Sequence, residues 1–197
     1  MVAAQIPGYR LGDPSLSRSP LDPADLAKLK ATLLFGEEDV AALLKAHEVV
    51  KDQVDEILEV WYGFVGNTPH LLAYFCDPKT GQPIGEYLEA VRKRFGQWIL
   101  DTCRVNYDEA WLAYQDEIGR RHHRSGKNKT DGVSAAAHIP MRYLLALVMP
   151  ISVTMKPFLA KKGHTPAEVE AMHAAWTKSV LLQAILWCRP YAGPSDF

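Results

Sequence analysis

Two adjacent histidines, His122 and His123, end a stretch that is otherwise patterned for a helix, Tyr107–Arg124 (YDEAWLAYQDEIGRRHHR). An imidazole can move a proton, cap the last carbonyls of a helix, or hold a metal through its unshared pair. Tyr107, Trp111, Tyr114 and Ile118 follow one another at spacings of 4, 3 and 4, an apolar stripe along one helical face. At about 100° per residue, His122 falls roughly 60° from Tyr107 and His123 roughly 160°. His122 therefore continues the buried face, and His123 turns away from it. An imidazole that closes an apolar stripe needs a partner: a metal ion is one, and a backbone carbonyl at the helix end is another. Asn106 is expected to cap this helix, with Glu109 bonding back to the cap.

The elements that must position these residues are helical throughout. Pro7, Gly8, Gly12, Pro14 and Pro20 make residues 1–20 an irregular arm, in which Ile6, Tyr9 and Leu11 offer something to bury. Asp22-Pro23 starts a short helix that Gly36 ends. Glu37, Glu38 and Asp39 open a longer pattern, with Val50, Val54, Ile57, Trp61 and Val65 on its stripe. It reads as two helices, or as one bent near His47–Val50, and stops at Asn67-Thr68-Pro69. Ile84, Leu88, Val91, Phe95 and Trp98 form a clean stripe interrupted by Arg92, Lys93 and Arg94, a charge run that is either a solvated face or a docking place for an anionic group. Ile139–Phe158 is apolar on nearly all sides, as a central helix would be, with a kink expected at Pro150. Thr165-Pro166-Ala167-Glu168 starts a last long helix that Arg189-Pro190 stops. No stretch alternates as a strand does, so the fold class is all-α with eight or so helices.

Composition narrows the function classes. A net charge of −1 and a pI near 6.7 give no footprint for nucleic acid. Cys76, Cys103 and Cys188 are far apart and odd in number, which reads as reduced thiols in a cytoplasmic protein. The N-terminus has no charged start followed by an apolar run. The longest apolar run, Tyr143–Ile151, is interrupted by Pro150 and too short to span a bilayer, so no membrane partner is expected. Five tryptophans and eight tyrosines suit either a dense core or a pocket for a flat ligand.

A Trp-Tyr pair on one helix, a Phe on the next and a His ending the one after are arranged as in globins. The wording is more specific: IPGY at 6–9, DQVDEILEVWYGFVG at 52–66, VRKRFGQWILDT at 91–102, EIGRRHHR at 117–124, TMKPFLAKKGHTP at 154–166 and PY at 190–191. Over essentially the whole chain the sequence resembles the protoglobins, single-domain members of the globin-coupled-sensor lineage. The resemblance implies a globin fold, a three-over-three helical sandwich. It adds an N-terminal extension over residues 1–20 and an additional N-terminal helix within the globin domain, 21–197. It also implies haem b, iron held by a proximal His122, and homodimers built through the last two long helices. On the distal side Tyr62 matches the family's tyrosine, Trp61 its neighbour and Phe95 its phenylalanine, while Val91 stands where many globins have a histidine. Tyr62 would be the hydrogen-bond donor to a small gaseous ligand, O₂, CO or NO, although a buried tyrosine also serves simply by bonding a backbone carbonyl. Ile118, Leu144, Leu147 and Ile151 are expected as pocket walls, with leucine at 147 where relatives often carry phenylalanine; the Arg92–Arg94 run, with Arg94 counted among the pocket residues, is expected to supply a partner for a haem carboxylate. Reversible gas binding is the first reading. Haem enzymology (NO dioxygenation, nitrite reduction or peroxidase-like turnover) is the second, and gas sensing through a separate partner protein the third, because the chain ends about ten residues beyond its last helix.

Overall fold

A computed structural model of the chain describes residues 6–197. Among these residues there are eight α-helices and three single 3₁₀ turns, and the sole extended pairing is an isolated bridge between Cys76 and Pro83. The arm, residues 6–20, runs through turns. Helix α1, Pro23–Thr32, starts as its sequence requires: the Asp22 carboxylate accepts from the Ala24 and Asp25 amides, and Pro23 takes the first helical position. Helix α2, Glu37–Val50, is separated from α3, Val54–Gly66, by a turn at Lys51–Gln53, just beyond the bend expected at 47–50. Pro69 opens the four-residue α4, Pro69–Leu72, which continues as a 3₁₀ turn to Phe75.

Helix α5, Gly85–Arg104, ends at Val105 in the left-handed region, φ 54°. That ending moves the start of the next helix. The Tyr107 amide bonds the Val105 carbonyl, so residues 105–107 belong to the turn. Helix α6 is Glu109–His122, and its cap is Asp108, whose side chain accepts from the Trp111 amide at 2.7 Å. The cap therefore sits two residues beyond Asn106, and the expected Asn106–Glu109 capping box gives way to a single side-chain cap, with Glu109 as the first residue of the helix. Tyr107 leaves the helix yet keeps its packing, edge-on to both Trp111 and Phe35.

Helix α7, Met141–Leu159, runs as one helix through Pro150 and Pro157. With the turn that follows, it is long and apolar enough to cross a membrane by length and composition, unlike the shorter run expected from the sequence. It is also not buried on all sides. Leu144, Val148, Ser152, Met155, Phe158 and Leu159 face inward, whereas Met141, Leu145, Met149 and Val153 are exposed. Helix α8, Pro166–Cys188, begins with the expected capping box of Thr165 and Glu168. It is the central element: it packs most extensively on α7, then on α2 and α6, and also on α5. Its fully buried Trp176, Met172, Leu182 and Gln183 are gripped by these neighbours. All three cysteines are buried free thiols.

Candidate functional site

Helix α6 delivers His122 as its last residue, against α8. The close approach of the two helices is set at Gly119, where a Cβ would stand 3.0 Å from both the Cα and the carbonyl oxygen of Trp187. One turn on, the His122 ring lies nearly parallel to the Trp187 indole, centroids 5.5 Å apart and planes at 16°. Trp187 is itself pinned, because its indole N–H donates to the buried Gln115 at 2.7 Å. His122 Nδ1 lies 2.8 Å from the Ile118 carbonyl, an acceptor that requires the ring proton to be on Nδ1. Nε2 is left with its unshared pair. Burial pushes the imidazole down to about 4, against the opposing effect of the Ile118 bond and with a small push from the Lys127 and Arg121 charges. His123, by contrast, packs edge-on against His138 and Tyr191.

A cavity opens beside His122, with about 230 Å³ of room for water-sized molecules and mainly apolar walls. All ten residues singled out in the sequence line it: Trp61, Tyr62, Val91, Arg94, Phe95, Ile118, His122, Leu144, Leu147 and Ile151. They come from α3, α5, α6 and α7, so four helices converge on one space. Tyr62 is half-buried, and none of the side-chain hydrogen bonds among the described residues involves its hydroxyl. Burial raises its pKa well beyond the ordinary phenol value, so it keeps its proton. The alternative of a tyrosine tied to a backbone carbonyl is therefore not what this side chain does. The Arg92 guanidinium lies 5.5 Å from the Tyr62 ring centroid and pairs with Glu59 at 2.7 Å.

The polar end of the cavity differs from expectation in its detail. Arg94 lines it but is already engaged: both of its terminal nitrogens bond Asp131, at 2.9 and 2.8 Å, and one also bonds the Pro7 carbonyl. Arg121, which the sequence reading left aside, also lines the cavity. Its Nε pairs with Glu117 at 3.0 Å, and its Nη1 donates to the Gly8 carbonyl at 2.7 Å. Its Nη2 is buried with no partner among the described residues. Two arginines thus hold two consecutive carbonyls of the arm, and Tyr9 adds a 2.6 Å bond to Asp101. Trp187, Tyr87 and Ile139 are among the further lining residues that the sequence did not point to. Trp187 is an apolar residue near the end of α8, a position that suggests burial but not what the side chain is buried against.

The Protoglobin family model matches residues 22–195. Among solved structures, the globin domain of the Geobacter sulfurreducens globin-coupled sensor is similar in fold. The TM-score is 0.65 at 14% identity, over 85% of this chain and 97% of that one. No curated protein sequence matches.

Proposed function

The chain belongs to the protoglobin family and has the globin fold, and on that premise we propose that it is a haem-b protein that reversibly binds O₂, CO or NO, with His122 as the iron ligand and Tyr62 as the hydrogen-bond donor. The observation that carries the reading is the state of His122: Nδ1 committed to the Ile118 carbonyl, Nε2 uncommitted at a cavity with apolar walls. Metal-ligating histidines are held in this way by a second hydrogen bond from the other ring nitrogen. The residues present fit the group. The walls are broad and aromatic, and the polar end carries Arg121 with a spare buried donor atom.

Haem supplies an iron centre with a position open to a diatomic molecule. Everything else falls to the chain. Stacking on Trp187 and the bond to Ile118 fix the plane and tautomer of His122, so the ligating atom needs no reorganisation. The lowered affinity of His122 for protons keeps Nε2 free for a metal across the physiological range. Tyr62 brings one O–H donor to an otherwise apolar region formed by Trp61, Phe95, Leu147 and Ile151. A donor there favours a ligand that carries partial negative charge, as O₂ does, over CO. Leu147, smaller and more flexible than phenylalanine, leaves this region wider.

The test is optical. The purified protein is expected to be red, with a Soret band that shifts on reduction and again on adding CO, and His122→Ala is expected to lose the haem. A colourless protein that takes up no haem on reconstitution sinks the reading.

A further inference from the structure

Lys127 follows His122 by five residues and is 5% exposed. A buried ammonium is costly unless an anion answers it, and no ion pair among the described residues includes this one. Its partners are all neutral: the Tyr87 hydroxyl at 2.8 Å, the Asn128 side-chain oxygen at 2.9 Å and the Tyr74 carbonyl at 3.4 Å. The neighbouring cations are different. Arg94 is neutralised by Asp131, and Arg121 by Glu117. Burial pushes the Lys127 amine down to about 8, with Asp131 opposing. The ammonium is also held in place, because Asn128 donates from its amide to the Ala135 carbonyl at 2.7 Å.

The three neutral partners share one property: Tyr74, Tyr87 and Asn128 all line the cavity. Tyr87 is the informative one. It accepts from Lys127, so its own O–H proton is not used in that bond, and among the described residues it donates to nothing. Burial raises this phenol to about 12, so the proton stays on. A hydroxyl that accepts from a cation is a stronger donor toward an anion on its other side.

We propose that Tyr87, with Lys127 behind it, is the receptor for a carboxylate of the molecule that fills the cavity, which on the haem reading above is a propionate. The Tyr87 hydroxyl makes the contact, and Lys127 is the positioning residue that supplies the charge. Arg94, which also lines the cavity, differs in that its guanidinium is already neutralised bidentately by Asp131.

The experiment compares iron protoporphyrin IX with its dimethyl ester, which has the same ring and metal but no carboxylate. Each is loaded into the full chain, and its loss to an excess of a haem-scavenging acceptor protein is timed. Tyr87→Phe and Lys127→Met are expected to release haem roughly ten- to a hundredfold faster than the unaltered chain, the usual effect of losing a charged hydrogen bond. They should release the ester at the unaltered chain's own ester rate. Lys127→Arg, which keeps the charge, is expected to recover most of the haem retention. Equal acceleration for haem and ester, or none for either, overturns the assignment. Tyr87→Phe carries the test if Lys127→Met fails to fold. A chain that holds neither compound fails before any variant is made, and that result falls on the haem reading itself.

Discussion

His122 is an imidazole kept neutral where water would let it titrate. In the unfolded chain it takes up a proton near pH 6.5, whereas in the folded chain burial delays that step to about 4. Between these values the unfolded state binds more protons, so stability rises with pH across the window and is lost as pH falls toward 4. The effect at neutral pH is about 3 kcal/mol at most. His123 and His138 are also shifted down by burial and by nearby positive charge, and they contribute to the same window. A difference measurement isolates the one residue. Urea unfolding of the haem-free protein at pH 4.5 and pH 7 is expected to show a smaller pH dependence in His122→Leu than in the unaltered chain, and identical slopes would contradict a buried neutral ring. At this scale the sequence was readable wherever a helical stripe points inward, which is why His122 could be separated from His123 by angle alone. Lys127, Tyr87 and Arg121 were not readable. Their significance lies in which charges already have partners, and Arg94–Asp131 and Lys127–Tyr87 are joined across 37 and 40 residues of chain.

Between elements, the crossing of α6 and α8 decides where His122 sits. Gly119 lets the two backbones meet. A Cβ there would press on main-chain atoms of Trp187 and on the Pro190 ring at 3.3 Å, none of which can swing aside. Gly119→Ala is therefore expected to destabilise the fold by about 1–3 kcal/mol, through displacement of α6 rather than loss of a contact. Because His122 is one turn away, haem retention should weaken with it. Gly96→Ala is the internal control. Its new methyl would meet only Val54 Cγ1 at 3.1 Å and Leu58 Cδ1 at 3.2 Å, side-chain ends that can yield. Denaturation curves of the two variants should separate clearly, and equal midpoints would show that the helix crossing tolerates the methyl. Helix starts were legible where a cap and proline coincide, at Asp22-Pro23 and Thr165-Pro166. The start of α6 was not, because it depends on Val105 adopting a conformation that β-branched residues rarely take.

At the scale of the whole molecule, the helical order and the convergence of four helices on one cavity follow from stripes that can be read along the chain. The outward face of α7 does not. An apolar residue carries the same signature whether it meets the core or the solvent, so Met141, Leu145, Met149 and Val153 read as interior. In the fold they form an exposed ridge at spacings of four, with Met149 63% and Val153 57% accessible. Four such residues in line extend roughly 18 Å along a helix, and a ridge of that kind is a poor terminus for a water-facing surface. The homodimer through the last two long helices that the protoglobin resemblance implies would set a second copy of the chain against this ridge about a two-fold axis, burying the same side chains from both copies. A carboxylate placed at Met149 and another at Val153 would disturb no core packing, yet would set four buried negative charges against one another in such a pair. Light scattering on a sizing column is expected to report twice the 22.0 kDa chain mass for the unaltered protein, and the single mass for the Met149→Glu, Val153→Glu variant, with unchanged helicity. An unaltered chain that elutes as a monomer at tens of micromolar would remove the second copy from this face.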